Sequence, residues 1–192
     1  MIRRLYDWTL SLAQSPKAVW GLAGVSFAES SFFPIPPDII MIPMILARPA
    51  RAWFYAAVAL IASVLGGLLG YYIGYGLFDQ VGQPLLEFYG KADAFEEFAA
   101  RYNKWGVWVV LVAGVTPFPF KVITIASGVT GLSLPIFVIS SLFARALRFF
   151  LVAALLRRYG EPIRDFIEKR LGLVFSVFCI LLFGGFFLVR YL

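Results

Sequence analysis

Hydrophobic and polar residues follow one another along this chain in long blocks. Residues 2–14 place Ile2, Leu5, Trp8 and Leu12 at helical spacing, with Arg3, Arg4 and Asp7 between them and Pro16 after. That pattern predicts a short amphipathic helix lying in a membrane interface. A long apolar block covers 18–47, but Glu29, Asp38, Pro34, Pro36, Pro37 and Pro43 interrupt it. Proline lacks the backbone N–H and clashes with the preceding turn, so it breaks a helix. One crossing takes about 20 residues, and 18–47 is too short to cross twice. The expectation is a re-entrant helical hairpin with Pro34, Pro36 and Pro37 at its tip, buried in protein or facing a wet cavity.

After the basic loop Arg48-Pro-Ala-Arg51, residues 52–78 run without a charge and predict a full transmembrane helix. Ala62, Gly66, Gly70 and Gly74 recur every fourth residue along one face. Such a small-residue stripe lets another helix backbone approach closely; lining a substrate path is the other reading, and the stripe is compatible with a homodimer. Residues 86–104 form a second amphipathic, interfacial helix by pattern. Phe95, Phe98, Ala99 and Tyr102 share one face, Glu96, Glu97, Arg101 and Lys104 lie elsewhere, and Asp93 with Glu96 has the form of a capping box. A second broken apolar block, 106–131, turns at Thr116-Pro-Phe-Pro-Phe-Lys121, and Pro117 and Pro119 mark a second hairpin tip. Residues 133–156 predict a full helix that carries Arg145 and Arg148; a basic stretch, 157–170, and a last apolar span, 172–191, follow.

The blocks repeat. Pro34-x-Pro36 and Pro117-x-Pro119 stand 83 residues apart, each inside a broken hairpin, with an amphipathic helix before it and a long helix after it. Because the first long helix crosses the membrane, the second unit starts on the opposite side and is inverted. The expected fold is an all-α integral membrane protein. It has two inverted repeats, each an interfacial helix, a re-entrant hairpin and a transmembrane helix, plus a C-terminal span. Inverted repeats with broken helices are a transporter architecture. If both hairpins return to their own side, ten Lys and Arg residues face one side and four the other, which puts the first side in the cytoplasm and the C-terminus outside.

Composition sharpens this picture. The chain is 61% hydrophobic and 15% charged, with a mean hydropathy of +0.84; soluble domains carry about 25% charged residues. A polytopic membrane protein of one domain is expected. No cleavable signal peptide is expected, since residues 1–14 lack an apolar core followed by a small-residue cleavage site. The net charge of +6 reads as basic loops beside anionic lipid rather than nucleic-acid binding. With no histidine and one cysteine, Cys179, a His-ligated metal, a His base and an intrachain disulfide are all excluded. No metal or cofactor is expected.

Five ionisable side chains fall at expected membrane depth: Glu29, Asp38, Lys121, Arg145 and Arg148. Charge there is costly and calls for pairing or a function. Opposed hairpin tips would gather the acids and bases centrally. One reading is a set of internal salt bridges that lock the hairpins; another lets Arg148 snorkel to the interface. The functional reading has Lys121, Arg145 and Arg148 bind an anionic headgroup, arginine being suited to phosphate. Glu29 and Asp38 would then serve proton coupling or gating.

At these residues the chain resembles the DedA family, also called the SNARE-associated or VTT-domain family, and within it the short YqaA-like subgroup. The resemblance runs over roughly 20–160 and is carried by Glu29…Phe33-Pro-Ile-Pro-Pro-Asp38, by Gly66–Gly74 with Tyr71 and Tyr72, and by Pro117-Phe-Pro-Phe-Lys121…Gly128-Val-Thr-Gly131. It implies a multi-pass protein of the bacterial inner membrane with two opposed re-entrant hairpins. It further implies translocation of a polyprenyl phosphate such as undecaprenyl phosphate, or of a phospholipid, with dependence on the proton-motive force. The family's two important acids match Glu29 and Asp38. Thr116 and Lys121 stand where the family carries arginines, and Arg145 or Arg148 is expected to make up the charge. The alternatives are a proton-coupled transporter of a small solute or ion and a non-transporting membrane-homeostasis factor. An enzyme is not expected, since there is neither a histidine nor a paired-aspartate metal motif.

Overall fold

A computed structural model describes residues 17–169 apart from 34, 91 and 117. The expected interfacial helix at 2–14, the last span at 172–191, and Pro34 and Pro117 lie outside the described residues. The apolar block 18–47 is broken where the prolines stand: α1 covers Ala18–Ser31 and α2 covers Asp38–Ala47. At 1.5 Å per residue α1 is about 21 Å long and α2 about 15 Å, against about 30 Å of hydrocarbon, so neither crosses alone. Pro37 stands at the N-cap of α2, where its missing N–H costs no helical bond.

A 3-10 turn, Pro49–Arg51, leads into α3, Ala52–Leu77. A π-helical turn, Phe78–Gly82, then runs on into the short α4, Gln83–Phe88. Here the structure corrects the sequence reading: the expected interfacial helix at 86–104 and the first arm of 106–131 are one continuous helix, α5, Ala92–Val115. The switch from charged to apolar residues near Trp105 changes the surroundings of the helix without interrupting its backbone, because no proline lies between Ala92 and Val115. Asp93 sits in the first turn of α5 rather than at its cap, so it faces the positive helix end in place of the expected capping box.

The second arm is α6, Phe120–Val129. It ends in a Schellman turn. Gly131, at φ +64°, takes the left-handed position; Leu132 N–H donates to the Ser127 carbonyl at 2.9 Å and Gly131 N–H to the Gly128 carbonyl at 3.1 Å. The last described helix is α7, Leu134–Lys169, kinked at Tyr159, so the expected helix at 133–156 continues into the basic stretch. Among the described residues two helices are long and apolar enough to cross a membrane, Pro49–Gly82 and Leu134–Gly160.

The long helices α3 and α7 pack on each other. α1 lies on α3 and α5 on α7, while the second arms cross over, α6 onto α3 and α2 onto α7. Two apolar clusters result. One joins Leu22, Met41, Met44, Ile45, Tyr55, Ala59 and Phe149; the other joins Tyr71, Tyr102, Val110, Phe120, Ile123, Leu132 and Phe137. On α3 the first uses residues up to Ala59 and the second Tyr71; on α7 the first starts at Phe149 and the second uses Phe137. Ser63 and Arg145 therefore fall between two apolar layers.

Tyr71 pins the second cluster: its hydroxyl donates to the Leu132 carbonyl at 2.6 Å. Tyr71→Phe is expected to cost about 1 kcal/mol, read as a lower melting temperature in detergent. An unchanged transition would show that this bond adds nothing.

The glycine stripe is used inside the chain. A Cβ on Gly66 would strike the backbone of Phe27 in α1, and one on Gly74 the backbone of Ile125 in α6. Gly70 lies against Thr124 and Ser30. The stripe is taken up by close packing against α1 and α6, and it is not a free face for a second copy.

Candidate functional site

The polar layer is built by side chains from both hairpins and both long helices. Arg145, near the middle of the apolar span Leu134–Gly160 of α7, is fully buried, with 0% of its side chain exposed, and its Nη2 donates to Glu29 Oε2 of α1 at 2.6 Å. Its Nε donates to Ser63 Oγ of α3 at 2.7 Å. The guanidinium lies between two rings, 4.9 Å from the Phe120 centroid and 4.6 Å from that of Phe149. Cation–π attraction is strongest where the cation is dry, so the rings and the carboxylate hold it together.

Glu29 is tied as tightly. Its side chain is 9% exposed. Oε2 also accepts from Ser30 Oγ at 3.1 Å, and Oε1 accepts from the backbone N–H of Phe120 at 3.3 Å. Phe120 opens α6, whose own N-cap, Pro119, offers no side-chain acceptor. A carboxylate from the first hairpin therefore caps a helix of the second, and the helix dipole favours it there. Ser30 and Ser63 hydroxyls lie 2.7 Å apart and close the ring of polar groups. Thr124 Oγ1 donates to the Ser30 carbonyl at 2.9 Å, a further tie between α6 and α1.

The second pair is less enclosed. Arg148 Nη2 donates to Asp38 Oδ2 at 2.5 Å, with 14% and 19% of the side chains exposed. Arg148 Nη1 donates to the Thr116 carbonyl at 2.8 Å. One guanidinium thus joins the start of α2 to the turn after α5. Arg148 does not snorkel; it turns inward, and its charge reaches Thr116. Asp38 Oδ1 and Arg145 Nη1 are buried without a hydrogen-bond partner among the described residues.

Of the five expected charges, the structure gathers four as two ion pairs, which is the locking arrangement considered from sequence. Lys121 does not join them: its Nζ donates to the Phe32 carbonyl at 3.3 Å, and it forms no ion pair among the described residues. Pro36, Pro37 and Pro119 lie at the turns that bring these groups together. Sequence reasoning missed Ser30, Ser63, Phe120 and Phe149. For Ser63 a signal existed, since it is the one non-aromatic polar residue within Ala52–Leu77. Among the described residues no three acidic, histidine or cysteine side chains gather as metal ligands.

Comparison with known proteins adds a family. Residues 35–158 match the VTT domain. An uncharacterized protein of Haemophilus influenzae (strain Rd) is 38% identical over 170 residues, covering 88% of each chain. An uncharacterized protein of Histophilus somni is 38% identical over 168 residues, covering 85% of this chain and 87% of its own. No solved structure matches the chain.

Proposed function

Because the chain belongs to the VTT-domain family, also called the DedA or SNARE-associated family, we propose that it moves a lipid phosphate, such as undecaprenyl phosphate, across the bacterial inner membrane. The observation that carries this reading is Arg148. An arginine set among apolar helices, partly exposed, and shared between the turns of two broken segments is poorly explained as packing alone. Its planar fork suits a phosphate with several oxygens.

The order α1, α2, α3 returns as α5, α6, α7, with α2 and α6 exchanged onto the long helix of the opposite half. That exchange supports a pair of inverted repeats, an arrangement suited to alternating access. The short arms leave the polar layer near the middle of the long helices, where a headgroup would be half-way across. Asp38, the more exposed of the two acids, is the one we assign to releasing its base. The partners under this reading are membrane lipid and protons, and no enzymatic step is involved.

The test is flipping of labelled polyprenyl phosphate in proteoliposomes, with and without a pH gradient. The wild type is expected to flip the lipid, faster with the gradient, and Asp38→Asn and Arg148→Ala to lose this activity while staying folded. Flipping at the wild-type rate by both variants would sink the reading. A folded wild type that moves small ions but no lipid phosphate would replace it with solute transport.

A further inference from the structure

The two ion pairs look alike in chemistry but differ in surroundings. Each is one arginine of α7 and one carboxylate of the first hairpin. Arg145 has 0% of its side chain exposed and is held by a carboxylate, a hydroxyl and two rings. Arg148 has 14% exposed and is held by two oxygens, Asp38 Oδ2 and the Thr116 carbonyl.

The acids differ in a second way. Glu29 lies near the C-terminal end of α1, whose dipole disfavours an anion, and against the start of α6, whose dipole favours it. Without Arg145 it would keep only Ser30 and the Phe120 N–H. Asp38 is the first residue of α2. Its carboxylate sits at the positive end of that helix and is 19% exposed, while the N–H groups of Ile39, Ile40 and Met41 already donate to the Pro36 and Pro37 carbonyls. Asp38 is the more exposed acid and can take up water when it lets go of Arg148, whereas Glu29 would be left as a buried charge without its partner, which is strongly destabilising.

We infer that the two pairs divide the work: Glu29–Arg145 stays closed and fixes the two hairpins to each other, while Asp38–Arg148 opens and hands the Arg148 guanidinium to the phosphate of a lipid headgroup. Asp38 is then a built-in competitor that occupies the base when no substrate is present. The exchange breaks one ion pair and forms another, with no covalent change. It rests on the lipid-phosphate reading above and narrows it to one base, so Arg145, grouped with the headgroup ligands by the sequence reading, drops out of the contact set.

A competitor leaves a signature that a structural salt bridge does not. Removing it should tighten substrate binding while impairing transport. Binding of a short-chain polyprenyl phosphate to the full chain in detergent is measured for the wild type and for Asp38→Asn, with the unphosphorylated polyprenol and inorganic phosphate as parallel probes. Asp38→Asn is expected to bind the lipid phosphate about tenfold more tightly, a step of about 1.4 kcal/mol. Polyprenol and inorganic phosphate are expected to bind far more weakly to both proteins.

Unchanged or weaker binding by the folded variant overturns the exchange and leaves the lipid-phosphate reading standing. A wild type that binds polyprenol or inorganic phosphate as well as the lipid phosphate overturns both. Should the variant not fold, labelling the wild type with phenylglyoxal decides the matter. Arg148 is expected to react and to lose its labelling when polyprenyl phosphate is added, and Arg145 to stay unlabelled throughout. Labelling of Arg145 that the lipid suppresses, with Arg148 unaffected, overturns the division. Labelling that the lipid leaves unchanged at both arginines overturns the lipid-phosphate reading with it.

Discussion

Arg145→Ala is expected to lose about 3–5 kcal/mol of stability, the cost of breaking a buried ion pair by removing one partner. The loss is large because it is shared among four helices. Arg145 binds Glu29 of α1 and Ser63 of α3, stacks on Phe120 of α6, and belongs to α7. Truncation leaves the Glu29 carboxylate buried and short of its charge partner, and leaves a gap between two aromatic rings. Much of this penalty belongs to the orphaned acid. The double variant Glu29→Gln, Arg145→Met removes both charges and keeps the volume. It is expected to recover more than half of the loss, since replacing a buried pair by neutral groups of similar size is often close to neutral. Thermal unfolding of Glu29→Gln, Arg145→Met and the double variant gives the coupling between the two charges. If the double variant is no more stable than Arg145→Ala alone, the lost stability came from packing against Phe120 and Phe149 rather than from the stranded carboxylate.

Gly66→Ala and Gly74→Ala are each expected to cost about 1–3 kcal/mol, the range for overpacking a close contact. Both added methyl groups would meet backbone, which cannot swing aside: Phe27 of α1 for Gly66 and Ile125 of α6 for Gly74. Gly128 makes the reciprocal contact, since its Cβ would run into the backbone of Tyr71 and Tyr75 on α3. Forcing α6 off α3 would also pull the Phe120 N–H from Glu29, so these variants are expected to transport poorly as well. The matching control is Gly24→Ala, where a Cβ meets nothing within 4 Å. There the change should be neutral or should gain up to about 1 kcal/mol from helix propensity. Equal losses at Gly24 and Gly74 in thermal unfolding would show that the close approach is not what the stripe is for.

Much of the fold was legible because it depends on local chemistry. The paired prolines at 34–37 and 117–119 mark the breaks after Ser31 and Val115, whereas the lone Pro43, also expected to interrupt the block, sits inside α2 without ending it. A long uncharged apolar run announced α3, an apolar run interrupted only by Arg145 and Arg148 announced the first part of α7, and spacing by fours marked the glycine face. The same kind of reading misplaced the boundary near Trp105. It took a change of side-chain polarity for a change of element, whereas a helix ends only when its backbone bonds do.

The sequence by itself determined that the chain is apolar enough for a membrane, that two of its segments are broken, and that five charges needed an explanation. Only the tertiary structure decided which charges meet. Glu29 and Arg145 are 116 residues apart, and Asp38 and Arg148 are 110; no local pattern assigns one acid to one base across such distances. Burial made the further distinction, because the rotation of α7 between its neighbours encloses Arg145 and leaves Arg148 partly open, though the two are three residues apart on one helix. Lys121 shows the same limit from the other side. Its position at the start of α6 marked it for the cluster, yet the way α6 crosses onto α3 turns its ammonium to the Phe32 carbonyl instead. Side-chain partners follow from how helices cross and rotate, and those depend on close contacts such as Gly74 on Ile125 and Gly128 on Tyr71, which exist only once the chain has folded.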